Sequence, residues 1–229
     1  MKLFFSLLTA FTLSACGGGT SVPDWQIDAQ TATQRYTRYF LAGQVQRAEA
    51  SFTQARKAVA ATGNINAVSH IELVRCGLQT ATLDFSPCTG YNQLAALTSD
   101  PADAAYARFI SGDWQGLNRA LLPPQYAAFA AAAAPNPVET QRLIRAINDP
   151  ISRLIATGLR FRRGMVDDAT LQAAIDTASA QGWRRPLLTY LKLQQQRTID
   201  PATRATIRAR IQLVEESLQA PAKNITTAP

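Results

Sequence analysis

Four pairs of residues, each joining an Asp or Asn to a Pro, most constrain how this chain can fold. They are Asp100-Pro101, Asn136-Pro137, Asp149-Pro150 and Asp200-Pro201. A side chain of the Asp or Asn type accepts hydrogen bonds from the free N–H groups at the start of a helix. Proline suits the first helical position because that position needs no N–H donor. Each pair therefore predicts a helix start, and together the pairs divide much of the chain into successive antiparallel helices.

The composition agrees with a helical chain. Ala, Leu, Gln and Arg dominate, only 12 of the 229 residues are Gly, and strand-like alternation of β-branched residues is nearly absent. The fold class we predict is all-α, built from antiparallel helical hairpins as a repeat-like array or an irregular bundle. The expected helices span residues 25–42, 44–61, 66–76, about 92–97, 103–111, 114–121, 124–134, 138–147, 151–163, 169–181, 186–197 and 202–219.

The first two predicted helices form a hairpin around Gly43 that resembles a tetratricopeptide repeat. The residues that carry the resemblance to the second half of that motif are Tyr39, Ala48, Phe52 and Ala55. The resemblance covers about 34 residues, one repeat, and implies small residues at a helix crossing with an aromatic wedge between them. The chain departs from the pattern at Arg35, Tyr36 and Ala60, and a partial echo over residues 106–121 suggests a second hairpin. Without three clear repeats, we describe the fold as repeat-like and not as a solenoid.

The amino-terminal residues have the pattern of a secretory signal. Lys2 precedes a mostly apolar run from Leu3 to Leu13, which is too short to remain as a spanning helix. The segment Leu13-Ser14-Ala15-Cys16 then resembles the lipobox of bacterial lipoproteins, in which the Cys thiol receives a diacylglyceryl group, the chain is cut before it and the new amino terminus is acylated. The alternative is an ordinary signal peptide that happens to contain a Cys.

The lipoprotein resemblance implies an organisation and a location. Residues 1–15 would be the signal peptide, 16–23 a lipidated tether, 24–219 an all-α periplasmic domain, and 220–229 a disordered tail. Each buried CH2 of an acyl chain contributes about 0.8 kcal/mol, so three chains would hold the protein to a membrane almost permanently. Gly17 stands where family members retained at the inner membrane commonly carry Asp. We therefore expect the protein at the periplasmic face of the outer membrane.

Two cysteines remain once Cys16 is assigned to lipid. We predict a disulfide between Cys76 and Cys88, because an even pair in an oxidising compartment is typically bonded; the alternative is two buried thiols. Twelve residues of unbroken helix would separate the two Cα atoms by about 18 Å, whereas a disulfide needs about 4.4 to 6.8 Å. The helix that carries Cys76 must therefore end before Cys88, with Gly77 and Ser86-Pro87 as the candidate breaks.

The basic residues are concentrated in the second half of the chain. Residues 17–135 hold eight basic and eight acidic side chains, whereas residues 136–229 hold 14 basic and eight acidic. A candidate partner-binding patch comprises Trp183, Arg184 and Arg185 together with Arg160, Arg162 and Arg163. Its occupant would be an envelope protein, anionic cell-wall material or lipid headgroups, and nucleic acid is not expected in this compartment. The alternative is that these arginines are solvated helix faces and C-terminal caps.

The sequence offers little support for catalysis. His70 is the single histidine, no GxSxG elbow accompanies it, and its helical spacing with Leu73 and Val74 predicts a partly buried packing residue. No cluster has metal-ligand spacing and no glycine-rich phosphate loop follows a strand. We assign no catalytic, cofactor-binding or metal-binding residue, and expect no cofactor.

The function we expect is that of a membrane-anchored periplasmic lipoprotein. It would act as a non-catalytic scaffold or accessory protein for an envelope protein partner, as repeat-like lipoproteins do. The alternative is binding or processing of peptidoglycan or another cell-wall glycan, for which Glu72 and Glu139 are the candidate carboxylates.

Overall fold

The computed structural model describes residues 22–131, 136–165 and 167–219. Residues 1–21 and 220–229 lie outside this range, so it does not include the predicted signal peptide, Cys16, most of the tether or the predicted tail. The described residues form eleven α-helices and no strand, which confirms the all-α prediction. The helices are α1 Asp24–Leu41, α2 Val45–Ala60, α3 Ile65–Ala81, α4 Thr89–Leu94, α5 Pro101–Ser111, α6 Ala127–Ala131, α7 Pro137–Arg145, α8 Pro150–Arg162, α9 Asp168–Ala180, α10 Arg184–Arg197 and α11 Pro201–Gln219, with two 3₁₀ helices at Arg119–Leu121 and Pro124–Tyr126.

The Asx-Pro pairs start helices as predicted. Asp100 Oδ1 accepts from the Ala102 N–H at 2.8 Å, and Asp149 Oδ2 accepts from the Ser152 N–H at 2.7 Å. The side chains at positions 136 and 200 accept comparable bonds at the starts of α7 and α11. These bonds satisfy N–H groups that have no partner within the helix.

The α1–α2 hairpin also forms as predicted. Gly43 supplies the turn with φ +77°, and Ala48, Phe52 and Ala55 are buried where α2 packs on α1. The Tyr36 and Phe52 rings lie 5.2 Å apart between the helices. A small hydrophobic cluster joins this hairpin to one side of α3.

The helices that follow form an irregular bundle. The second, larger hydrophobic cluster unites α3 with helices from α5 to α11. In a solenoid each repeat contacts its sequence neighbours, but α3 packs closely on α8, which begins more than 60 residues later. A Cβ added at Gly158 on α8 would lie 2.1 Å from the Thr80 carbonyl oxygen on α3, so the two backbones nearly touch.

Two local predictions were wrong. The helix expected over residues 114–121 is instead a turn followed by the first 3₁₀ helix, because Gly116 adopts φ +65° and Asn118 caps the new start. Gly77 does not end α3, which continues to Ala81 before the chain turns at Leu83 with φ 59°. Within the described ranges, no helix combines the length and apolarity needed to cross a bilayer.

Candidate functional site

A cleft lies where α3 faces the amino-terminal ends of α5 and α8. Its volume is about 490 Å³, within the range of about 300 to 1,000 Å³ that small-molecule sites occupy. The 3₁₀ segment around Tyr126 closes a third side, and Thr37 of α1 reaches one edge. The walls are mainly aliphatic and aromatic, with a few polar side chains among them. Such a lining is typical of sites where apolar contacts give affinity and polar groups fix orientation.

One face of α3 supplies the main wall of the cleft. The cleft-lining residues of α3 follow helical spacing, so they project from one side: His70, Leu73, Val74, Gly77 and Leu78. A Cβ at Gly77 would lie 2.7 Å from the Tyr106 hydroxyl, so the glycine allows that ring to approach α3. His70, Leu73 and Val74, whose helical spacing predicted packing, thus line an open cavity.

His70 and Asp103 form a charged pair beside the cleft. His70 Nδ1 lies 3.1 Å from Asp103 Oδ1, with the histidine side chain 68% exposed and the carboxylate nearly buried. The hydrogen bond to Asp103 raises the pKa of His70, which favours the protonated imidazole. Our expectation that His70 is a partly buried packing residue was therefore wrong. Its exposed ring can contact a ligand that enters the cleft.

Tyr106 and Tyr126 supply neutral hydroxyls inside the cleft. Their ring centroids are 6.2 Å apart in a stacked arrangement. Burial raises the pKa of Tyr126 to about 12 and raises the pKa of Tyr106 as well. Both phenols therefore stay protonated at any physiological pH, so they add no charge to the cleft.

The helix ends at the cleft have few free N–H donors. Asp100 accepts from the N–H groups of Ala102 and Asp103, at 2.8 and 3.4 Å. Asp149 accepts from the N–H of Ser152. The first residue of each helix is a proline, which has no N–H to offer. Their own capping carboxylates thus engage most of the N–H donors at these two helix starts.

The arginines of the predicted patch separate into two groups. Arg162 and Arg163 end α8, whereas Trp183, Arg184 and Arg185 begin α10, and α9 runs between them. Since α9 has 13 residues, its ends are about 20 Å apart. The structure therefore does not bring the six patch residues into one surface.

Arg160 is not on the surface. Its side chain is 2% exposed, and its Nε and Nη2 donate to Asp167 Oδ2 at 3.1 and 2.9 Å. Burial alone would raise the pKa of Asp167, but hydrogen bonds from Thr170 and Arg160 lower it below its usual value. This pair joins the end of α8 to the start of α9, so Arg160 has a structural role.

The other patch residues mostly cover aromatic or backbone groups. The guanidinium of Arg163 lies 4.4 Å from the Trp114 ring centroid, and that of Arg185 lies 3.9 Å from the Phe40 centroid. Arg162 is 5.3 Å from the Phe85 ring. Arg184 donates to the Ser217 carbonyl at 2.8 Å. Trp183 is half-buried and packs against both hydrophobic clusters.

The disulfide prediction is confirmed. Cys76 on α3 is bonded to Cys88, the residue before α4, with the Cα atoms 5.7 Å apart. The two glutamates considered for glycan chemistry lie on separate helices and are both paired. Glu72 is buried and binds Arg56 at 2.8 Å, while Glu139 pairs with Arg142 on the surface of α7.

Sequence reasoning missed the cleft, although part of its signal was visible. Two of the Asx-Pro caps, Asp100-Pro101 and Asp149-Pro150, start the helices whose ends meet there. The helical spacing of His70 with Leu73 and Val74 on α3 was also visible. What the sequence could not supply was the packing of α3 against α5 and α8, which depends on contacts between distant segments.

Protein-family models, curated proteins and solved structures were compared with the chain, and none matches it significantly. The fold and the cleft alone define its class: a helical protein with a preformed, largely apolar cavity. The described residues hold no group of three or more side chains suited to bind a metal ion.

Proposed function

We propose that the protein is a non-catalytic accessory lipoprotein of the bacterial envelope that works by binding an envelope component in the cleft. The carrying observation is the cleft itself, about 490 Å³ of largely apolar space between helices that pack closely behind it. A preformed cavity lowers the entropy cost of ordering the site when a ligand binds.

The lipobox resemblance supports the location in this proposal. Lipid on Cys16 would hold the domain at the periplasmic face of the outer membrane. The disulfide between Cys76 and Cys88 is consistent with an oxidising compartment. Metabolic labelling with a radioactive fatty acid tests the anchor directly. We expect label in the wild-type chain and none in Cys16→Ser; equal labelling of both would overturn the anchor and the location together.

Cell-wall glycan binding or processing has less support. Sugars present many hydroxyls and are bound by many polar groups, whereas apolar side chains predominate in the cleft. Glu72 and Glu139 are each engaged by an arginine and lie on different helices. Sedimentation of the purified protein with peptidoglycan separates the two functions. Retention on peptidoglycan alone would favour the glycan function over the one we propose.

Binding in the cleft is tested with a small neutral ligand, 3-phenylpropanol. The chain has one histidine, and it lines the cleft, so the imidazole NMR signals of His70 report occupancy without an added label. We expect these signals to shift and saturate with ligand in the full chain. Val74→Trp, which fills the cavity, should abolish the shift. The matched variant Val45→Trp, at an exposed position of α2, should retain it. No saturable shift in the wild type, with this alcohol or with its amine and carboxylate analogues, would overturn cleft binding.

A further inference from the structure

We propose that the cleft binds a small molecule with an apolar body and a protonated amine. This inference rests on the proposed function, because it names the chemical class that the same cleft would hold. The cavity walls provide the apolar contacts, and the carboxylate of Asp149 provides the site for the ammonium group.

The charged groups that line the cleft favour a cation. Asp103 and Asp149 both line it, and none of its described lining residues is Lys or Arg. His70 is the only basic side chain among them, and its nitrogen is paired with Asp103. Even a fully protonated His70 therefore balances one carboxylate and leaves the charge of Asp149. Asp149 is exposed, so its carboxylate is accessible to a ligand.

The amino-terminal ends of α5 and α8 do not reverse the preference of the cleft for a cation. A helix amino terminus carries a partial charge of roughly +0.5 and often binds anions. Anion binding, however, needs free N–H donors. At α5 and α8 the first position is proline, and the N–H groups of Ala102, Asp103 and Ser152 donate to the capping carboxylates. The full negative charges of Asp100 and Asp149 also stand directly at the positive ends of the two helices.

Tyr106 adds aromatic surface suited to an ammonium group. It lines the cleft and is half-buried, whereas Tyr126, which also lines the cleft, is 2% exposed. Aromatic faces attract cations, by about 0.5 to 2 kcal/mol depending on solvent exposure. A carboxylate ligand would gain no such attraction and would be repelled by Asp149.

The experiment compares three ligands with the same phenylpropyl body: 3-phenylpropylamine, 3-phenylpropanol and 4-phenylbutyrate. Binding to the full chain is followed at neutral pH by the His70 imidazole signals. We expect the amine to bind at least about tenfold more tightly than the carboxylate, with the alcohol between them. A tenfold difference corresponds to about 1.4 kcal/mol.

Variants identify the negative charge that makes the cleft prefer the amine to the carboxylate. Asp149→Asn keeps the helix cap but removes the negative charge, so it should reduce the preference for the amine at least threefold. Asp176→Asn changes an exposed aspartate on α9 that does not line the cleft, and it should leave the preference unchanged. Thr37→Trp offers a second way to block the cavity should Val74→Trp fail to fold, which circular dichroism would reveal.

The outcomes distinguish this inference from the proposed function. If all three ligands bind with similar affinity, or if the carboxylate binds best, the amine preference is wrong while cleft binding stands. If none binds, both proposals fall. If the amine is preferred equally in wild type and Asp149→Asn, the charge that selects it is not the one assigned here, and the inference is also overturned.

Discussion

Replacing Gly158 with alanine tests the close crossing of α3 and α8. The added Cβ would lie 2.1 Å from the Thr80 carbonyl oxygen and 3.0 Å from its carbonyl carbon. Even a favourable C···O contact needs about 3.3 Å, so the two helices would have to separate by about 1 Å. A backbone carbonyl cannot rotate away as a side chain can. Overpacking a buried site costs about 1 to 3 kcal/mol, and this clash belongs at the upper end.

Helix propensity opposes part of that cost. Alanine is favoured over glycine within a helix by about 1 kcal/mol. We therefore expect a net loss of about 2 kcal/mol in the free energy of unfolding. For a domain of this size, this corresponds to a decrease in Tm of roughly 4 to 8 °C. Thermal and urea unfolding followed by circular dichroism measure both quantities.

Gly77→Ala is the matched control, because it gains the same helix propensity on the partner helix. Its Cβ would lie 2.7 Å from the Tyr106 hydroxyl and 3.3 Å from Ile155 Cδ1, and both atoms end side chains that can shift. We expect it to change stability by less than about 1 kcal/mol. If Gly158→Ala proves as stable as the wild type, or more stable, the helices do not approach as closely as described and the reasoning is refuted.

Three further predictions concern the disulfide and two ion pairs. The 12-residue separation between Cys76 and Cys88 predicts that replacing both with alanine lowers the free energy of unfolding by about 3 kcal/mol, seen in urea titration; an unchanged midpoint would contradict it. A hydrogen bond raises the pKa of His70 in the folded chain above its value in the unfolded chain. The bond therefore stabilises the fold at pH values below the pKa of His70 in the unfolded chain, and this stabilisation is lost as the pH rises through its pKa in the folded chain. Asp103→Asn should lower the His70 pKa in an NMR titration, and no change would show that the pair is not the cause. Asp167→Asn keeps the cap of α9 but leaves the buried guanidinium of Arg160 without its counter-ion. It should lower the free energy of unfolding by about 3 kcal/mol in the same urea titration. A decrease below about 0.5 kcal/mol would contradict the role we assign to this pair.

Features encoded by neighbouring residues were predictable from the sequence. The caps of α5, α7, α8 and α11 were found because an Asx-Pro pair carries both the acceptor and the suited first residue. The end of α3 was harder to place. Gly77 looked like a terminator, but its small size instead allows Tyr106 to approach α3 within a continuing helix.

Features that depend on distant contacts were not predictable. The arginines near positions 160 and 184 looked like one basic surface in the sequence, yet α9 separates them and Arg160 is buried against Asp167. The cleft was missed for the same reason. Its walls come from segments spread between residues 37 and 155. No periodicity within one helix shows which other helix leaves its face uncovered.

The position of α3 links the stability of the fold to the shape of the cleft. On one side Gly158 brings α8 into contact with the end of α3, and Ile155, one turn earlier on α8, lines the cleft. On the other side the disulfide attaches α4 at Cys76, next to the cleft-lining Gly77. Near its carboxyl end the Ala81 carbonyl accepts a hydrogen bond at 3.0 Å from the buried hydroxyl of Tyr190. These three attachments fix the cleft wall before any ligand arrives. A cavity held in this way loses little entropy on binding, which suits a protein that binds a small ligand without rearranging its helices.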